Sequence, residues 1–204
     1  MNIKNMFLSF IPWIAFTVLA NRAGAQGATA ACLVATALAV FLTVKNSRTS
    51  SVKLIDLTGI ATFGAMTVVA AAGSAKTDAN VVDFGRGAAA LILGAIMLIS
   101  VAFVPFTEQY ARESVPREYW GSPAFRAVNR RISAIWAGAV LLMGAGHLLA
   151  GNLDPISSPQ TDARPVDLLF NWVIPVLLVL GAMNLTKQAV ANAQSATAPV
   201  AVGR

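Results

Sequence analysis

Long apolar blocks alternate with short polar segments along this chain, and the blocks have neither helical nor strand periodicity. Six blocks are present, at residues 6–20, 28–44, 54–73, 87–106, 132–151 and 166–185. A helix that is apolar on every side needs lipid or the interior of a much larger protein. Most blocks approach the ~20 residues that cross a ~30 Å hydrocarbon core, and none alternates as a membrane β-strand does. The pattern therefore predicts an all-α, polytopic transmembrane bundle of about six spans.

These spans are predicted to form one helical domain, residues 1–187, followed by a flexible, alanine-rich tail at 188–204. The first block allows a second interpretation. As a helix it reaches only ~22 Å, and Pro12 interrupts it. The sequence "AGAQ" that follows also fits the cleavage site of a secretory signal peptide. We take the block as a retained first span, with the signal peptide as the alternative.

The charged residues add an orientation to this picture. They make up 12% of the chain, against 56% hydrophobic residues, and the net charge is +6. With six spans and a cytoplasmic N-terminus, eleven basic residues fall on the cytoplasmic side. The four on the other side are Arg22, Lys76, Arg86 and Arg164. This asymmetry predicts a multi-pass protein of the bacterial cytoplasmic (inner) membrane with both termini in the cytoplasm, and it does not indicate nucleic-acid binding.

The largest predicted cytoplasmic loop, residues 107–131, joins spans four and five. Ser122 followed by Pro123 is typical of a helix start, with a hydroxyl at the N-cap and proline in the first turn. We expect this helix to run through the headgroups into span five, and a short interfacial helix to lie in the cytoplasmic loop between spans four and five.

Basic and aromatic residues of this loop form a candidate interaction surface. Its members are Arg117, Tyr119, Trp120, Phe125, Arg126, Arg130 and Arg131. Arginines at this depth attract anionic headgroups, and aromatic side chains suit the membrane interface. One interpretation is a loop that only anchors the protein to anionic lipid. The other is a surface that docks a cytoplasmic or membrane partner.

Ionisable groups inside a span are functional hypotheses by default, and there are few of them here. Asp56 lies three residues after Lys53, so we expect a local ion pair rather than a proton relay. His147 in "LLMGAGHLL" is expected to hydrogen-bond to a neighbouring helix rather than bind a metal ion.

Two further polar residues lie near the ends of spans. Glu108 follows span four and is expected to pair with Arg130 or Arg131 across the loop. Asn184, near the inner end of span six, can hydrogen-bond across helices.

Small residues predict helix packing rather than chemistry. Gly138, Gly144 and Gly146 in span five suit close helix contacts, as do three alanines in span two. The alanines are Ala31, Ala35 and Ala39. The single cysteine, Cys32, is expected to be a packing residue. We recognise no catalytic motif, no cofactor-binding loop and no metal-ligand spacing, so no enzymatic reaction is predicted.

Several sequence segments resemble the bacterial intracellular septation protein A family of small inner-membrane proteins. They are "FIPWIAF", "VKLIDLTGIATFGAMTVV" and "YWGSPAFRAVNRRISAIWAGAVLLMGAGHLLAG". The shared pattern of the last segment falls on Asn129, Trp136 and Gly144 or Gly146. The resemblance implies a part in cell-envelope upkeep or division, with no enzymatic reaction and no catalytic residues to transfer.

Two function classes follow from these observations. The first is a non-enzymatic membrane protein that supports envelope or septum assembly or membrane integrity through helix and loop contacts. The alternative is a small oligomeric transporter or channel for an apolar or uncharged solute. The missing charge in mid-helix favours the first class, because ion-coupled transport usually needs such a group. The expected partners are anionic lipids, other membrane proteins or further copies of this chain.

Overall fold

The structure is a computed structural model that describes residues 3–47, 51–157 and 165–197. All regular secondary structure in these ranges is helical. The helices are α1 (Ile3–Ser9), α2 (Ile11–Ala23), α3 (Ala28–Ser47), α4 (Leu54–Ala72), α5 (Ala75–Ala102), α6 (Phe106–Ala111), α7 (Pro123–Leu153), α8 (Pro165–Leu168) and α9 (Ile174–Thr197). Short 3-10 turns occur at Ala25–Gly27 and Arg117–Tyr119, and a π-helical turn, Leu169–Val173, joins α8 to α9.

The outer surface of the bundle is apolar. In the described part of the chain five helical segments are long and apolar enough to cross a membrane: α3, α4, α5, α7 and the continuous α8–α9 segment. Their exposed side chains include Val68 and Leu177, which are 67% and 61% exposed, whereas polar groups such as Asp56 and Asn129 are buried. A surface of this kind is stable in lipid rather than in water. The predicted all-α membrane bundle is confirmed at this level.

The first apolar block is divided into two helices at Phe10. Pro12 lies in the first turn of α2, where its missing N–H costs no hydrogen bond. Ser9 at the end of α1 lies beside α6, and Asn21 near the end of α2 lies beside Arg86 of α5. The two helices together therefore extend along the bundle, but each is shorter than a membrane span. The sixth crossing stays a prediction.

The fourth membrane helix begins earlier than the sequence pattern indicates. The sequence predicts that its block starts at residue 87, with Arg86 on the outer side. The predicted start is wrong for the helix, because α5 begins at Ala75 and buries Asp83 and Arg86 at 5% and 3% exposure. The side of the membrane on which they lie stays a prediction. Asp83 and Arg86 have hydrogen-bond partners on other segments, so the helix can include them without leaving a buried charge uncompensated.

The start of α7 agrees with the sequence. Ser122 accepts a hydrogen bond from Phe125 N at 3.2 Å, and the helix from Pro123 continues without a break to Leu153. The interfacial helix expected before it is not confirmed. In its place is α6, which is six residues long and packs into the bundle with Thr107 bound to Asn129 and Ser133 of α7.

Helices α5 and α7 form the central, antiparallel pair. A β-carbon built on Gly94 lies 2.8 Å from Leu141 Cγ, and one on Gly144 lies 2.9 Å from Leu91 Cγ. Each leucine therefore fills a notch that only glycine leaves open, and the two backbones approach closely. The packing role predicted for Gly144 is confirmed.

The other predicted small-residue contacts give a mixed result. Gly146 lies against Phe170, at 3.3 Å from a built β-carbon, whereas a β-carbon on Gly138 has no neighbour within 4 Å among the described residues. The expectation for Gly138 is therefore wrong, because its face of α7 is open. The predicted packing residues of α3 are buried, and these are Ala31, Cys32, Ala35 and Ala39.

At its C-terminal end α9 extends past the predicted span. It continues to Thr197, so the first part of the segment assigned to a tail is helical. The remainder of the tail, residues 198–204, lies outside the described residues. Helix α9 packs mainly against α7.

Candidate functional site

A cavity of about 380 Å³ lies between the helices, within the ~300–1,000 Å³ typical of small-molecule sites. Side chains from α1, α2, α4, α5, α7, the π-helical turn and α9 form its wall. The wall is strongly aromatic and includes Phe7, Phe10, Phe16, Phe63, Trp13, Trp136 and Trp172. Three of the four tryptophans of the chain therefore line one cavity.

The cavity opens sideways between α2 and α9. Ile14 of α2 and Val176 and Leu180 of α9 line it, and each is also 56% exposed on the outer surface. These residues belong to the apolar belt that faces lipid in a membrane. A molecule dissolved in the hydrocarbon phase could therefore enter without first crossing a layer of water.

Polar side chains meet at one end of this apolar cavity. Arg86 of α5 is 3% exposed, and its Nη1 donates to Asn21 Oδ1 at 3.2 Å. Its Nη2 lies 3.4 Å from Asp167 Oδ1 and forms an ion pair with that carboxylate. Three helical segments are thus joined around one buried guanidinium.

Asn171 extends this network to His147 of α7. The amide Nδ2 of Asn171 donates to Asp167 Oδ1 at 2.7 Å, which leaves its Oδ1 to accept from His147 Nδ1 at 2.6 Å. Because a carboxylate can only accept, it fixes the orientation of the amide and therefore the histidine tautomer. In the neutral imidazole Nδ1 carries the hydrogen and Nε2 is an acceptor.

A local irregularity places Asn171 in this network. The π-helical turn Leu169–Val173 contains it, and Pro175 follows shortly after. Proline cannot donate the backbone hydrogen bond that Asn171 O would receive in a regular helix, so the helix widens there. Such turns recur at functional sites because they redirect side chains.

The hydrogen bond predicted from His147 to a neighbouring helix is confirmed. Sequence reasoning missed the rest of this network: it places Arg86 on the outer side without a role and does not select Asn21, Asp167 or Asn171. An asparagine inside the apolar block 166–185 was the available signal.

A second polar cluster lies at the other end of the bundle. Lys53 forms an ion pair with Glu113 at 2.6 Å and donates to Gln109 O at 3.0 Å. The close ion pair of Lys53 is therefore with the segment after α6 and not with Asp56 as expected, although the lysine charge still acts on the Asp56 carboxyl group. Asp56 is hydrogen-bonded to Ser9, and its Oδ2 is buried without a hydrogen-bond partner in the described residues.

Tyr110 of α6 completes this cluster. Its hydroxyl donates to Ser9 Oγ at 3.1 Å, and Lys53 Nζ lies 5.3 Å from its ring centroid. Burial raises the pKa of Tyr110 far above its usual range. The phenol therefore stays protonated and remains a hydrogen-bond donor.

Glu108 and Asn184 do not make their expected contacts. Glu108 forms its ion pair with Arg112, one helical turn away, and not with Arg130 or Arg131. Asn184 is exposed and has no hydrogen bond to another described residue.

Within the candidate interaction surface, Trp120 makes several contacts with the loop, whereas three arginines form no salt bridge among the described residues. Trp120 lies between the guanidinium groups of Arg112 and Arg117, at 5.0 and 5.5 Å, and its Nε1 donates to Val115 O at 2.8 Å. Trp120 therefore organises the loop. Tyr119 is exposed.

The remaining members lie on the first turns of α7. Arg126, Arg130 and Arg131 are exposed, and Phe125 is half-buried. Among the described residues these three arginines form no salt bridge.

The fold and the cavity together define a class, a multi-pass helical membrane protein with a cavity between its helices. No protein-family model, no curated protein and no solved structure matches this chain. The resemblance to the septation protein A family therefore depends on the quoted segments and stays a prediction. In the described part of the chain no group of three or more His, Cys, Asp or Glu side chains could hold a metal ion.

Proposed function

We propose that this protein binds a small, largely apolar molecule in the intramembrane cavity and exchanges it with the surrounding lipid. The supporting observation is an aromatic chamber of about 380 Å³ with a lateral opening at Ile14, Val176 and Leu180. This proposal develops the transporter or channel alternative, of which ligand binding is the first step.

The physics of a membrane restricts what can make this cavity selective. A molecule that moves from lipid into an apolar chamber gains little from the hydrophobic effect, because both environments exclude water. Affinity must come from shape, aromatic contact and the polar end. Trp13 and Phe63 already meet edge to face at 4.8 Å, so that part of the wall is tightly packed.

Tryptophan fluorescence tests this proposal. A Trp120→Phe background leaves Trp13, Trp136 and Trp172, all of which line the cavity. With the protein in lipid nanodiscs, decane brominated at the chain end should quench their fluorescence in a saturable manner. A solute that only dissolves in the lipid would quench in proportion to its concentration.

A matched pair of α5 variants localises the binding. Ala90 lines the cavity, whereas Ala88 on the same helix is exposed to lipid. Ala90→Phe should abolish the saturable component and Ala88→Phe should retain it. Equal saturable quenching in the two variants would place the molecule outside the cavity and remove the proposal.

A second candidate is a supporting role in envelope or septum assembly through the cytoplasmic loop, without an enzymatic reaction. It is supported by the exposure of Arg126, Arg130 and Arg131, which leaves them accessible to anionic headgroups or to a partner. The test is cellular complementation with membrane levels measured. Normal complementation by a variant with all three arginines changed to glutamine and normal insertion would exclude this role.

A further inference from the structure

We propose that the ligand of the cavity is an uncharged amphiphile with a hydroxyl group, of the alcohol or phenol class, whose hydroxyl binds at His147 and Asn171. This inference rests on the proposed function and names the class of molecule for the same site. Its basis is that three polar side chains of the cavity wall, Arg86, His147 and Asn171, meet at one end. The other polar groups of the wall are apart from them: the Thr17 hydroxyl donates to Trp13 O, and the Trp13 indole N–H lies against Gly59.

The charges at that end exclude a charged headgroup. Arg86 lines the cavity and is paired with Asp167, so an anion would have to compete with a carboxylate already in place. Asp83, one helical turn before Arg86, adds a second carboxylate, which Ser157 binds through N at 2.9 Å and Oγ at 2.5 Å. A cation would instead meet the guanidinium in the wall. Burying an uncompensated charge is costly, so an uncharged headgroup is preferred.

The hydrogen-bonding groups select a hydroxyl among uncharged headgroups. His147 uses its Nδ1–H on Asn171 Oδ1, and the backbone of Phe170 also contacts the ring. With the hydrogen on Nδ1, Nε2 of the neutral ring is an acceptor and calls for a donor on the ligand. Asn171 lines the cavity beside it, and its Nδ2 carries a second hydrogen besides the one given to Asp167. A hydroxyl both donates and accepts, whereas an ether or ketone can only accept.

The shape of the chamber provides for the apolar part of the molecule. Trp136 and His147 both line the cavity from α7, and at the helical rise they lie ~16 Å apart along the axis. Phe7 meets Trp136 edge to face at 6.2 Å, so this distant end is aromatic. A chain or flat ring system with its hydroxyl at His147 would therefore extend toward Trp136.

A headgroup series in the Trp120→Phe protein tests the inference. Decanol, decanoate, decylamine and decane share one chain length, and each is brominated at the chain end to quench the cavity tryptophans. Decanol should reach half-maximal saturable quenching at about tenfold lower concentration than the other three, since one or two hydrogen bonds change affinity by about this factor.

Two variants assign the preference to the proposed residues. His147→Phe and Asn171→Leu should each remove the advantage of decanol and leave the binding of decane unchanged. Asn184→Leu is the control, because it changes an exposed asparagine of α9 and should preserve the advantage. Decane binding also shows that a variant is folded. If either His147→Phe or Asn171→Leu fails to bind decane, the test uses the other of the two variants.

The outcomes separate this inference from the proposed function. Equal binding of all four probes, or strongest binding of decanoate or decylamine, overturns the hydroxyl assignment and leaves a ligand-binding cavity. An advantage of decanol that survives both His147→Phe and Asn171→Leu also overturns it. Absence of saturable quenching by every probe overturns the proposed function together with the inference.

Discussion

Leu148 of α7 lies directly over Gly87 of α5, so that a β-carbon on the glycine would be 2.6 Å from Leu148 Cγ and 2.9 Å from Leu148 N. The contact with the backbone nitrogen matters most, because a rotamer change in the leucine cannot relieve it. The closeness of α5 and α7 therefore depends on the absence of a side chain at this position.

Gly87→Ala should force the two helices apart and destabilise the protein by about 1–3 kcal/mol. Gly138→Ala is the matched control, because no side chain or neighbouring helix of the described part of the chain lies within 4 Å of a β-carbon there, and alanine should stabilise the helix by about 1 kcal/mol. Unfolding in mixed micelles with increasing denaturing detergent measures both. Equal stability of the two variants would contradict the close contact at Gly87.

Arg86→Met should destabilise the protein by about 3–5 kcal/mol, because it leaves the Asp167 carboxylate without its charge partner. The double variant Arg86→Met with Asp167→Leu should recover much of this loss, since an apolar pair leaves no uncompensated charge. The same unfolding assay gives the coupling between the sites. Additive effects of the two substitutions would show that the ion pair contributes nothing.

Trp120→Ala should loosen the segment between Arg112 and Trp120, because both cation–π contacts and the hydrogen bond to Val115 are lost. Limited trypsin digestion should then cut after Arg112 and Arg117 several-fold faster. Tyr119→Ala removes an exposed neighbour and should leave the cleavage rate near that of the wild type. If the two variants are cut at the same rate, Trp120 does not order the loop.

Six crossings with both termini in the cytoplasm remain a prediction from the basic residues, and labelling can test the orientation of the last crossing. A cysteine at position 187 should react only after the membrane is opened, and one in the loop 152–165 should react with an impermeant reagent in intact cells. The background is Cys32→Ala, which removes a buried thiol. The reverse accessibility would mean an inverted protein, and labelling of both sites would mean that the last helix does not cross the membrane.

Local rules predicted the features that depend on adjacent residues. Ser122 and Pro123 begin α7 because a cap and a fixed φ act over a single turn. The burial of Arg86 could not be read in the same way, since its partners Asn21 and Asp167 are distant in sequence. A window of hydropathy treats an arginine as the end of a span, whether or not another helix neutralises it.

The small residues show the same limit. Gly138 and Gly144 look equivalent in the sequence, yet only Gly144 faces α5. Which face of a helix packs against a neighbour depends on how the helices assemble, and the spacing of glycines in the sequence does not predict it. For the same reason Lys53 was assigned to its near neighbour Asp56 and not to Glu113.

The arrangement of α5, α7 and α9 divides the bundle into a fixed frame and a movable wall. The glycine contacts prevent α5 and α7 from sliding or separating without breaking close packing between their backbones. Helix α9 has most of its surface outside the bundle and packs mainly against α7. The cavity mouth can therefore widen at the cost of one helix interface, and the rate at which a bound molecule leaves should follow the strength of contacts such as Trp136 with Thr186 rather than those of the frame.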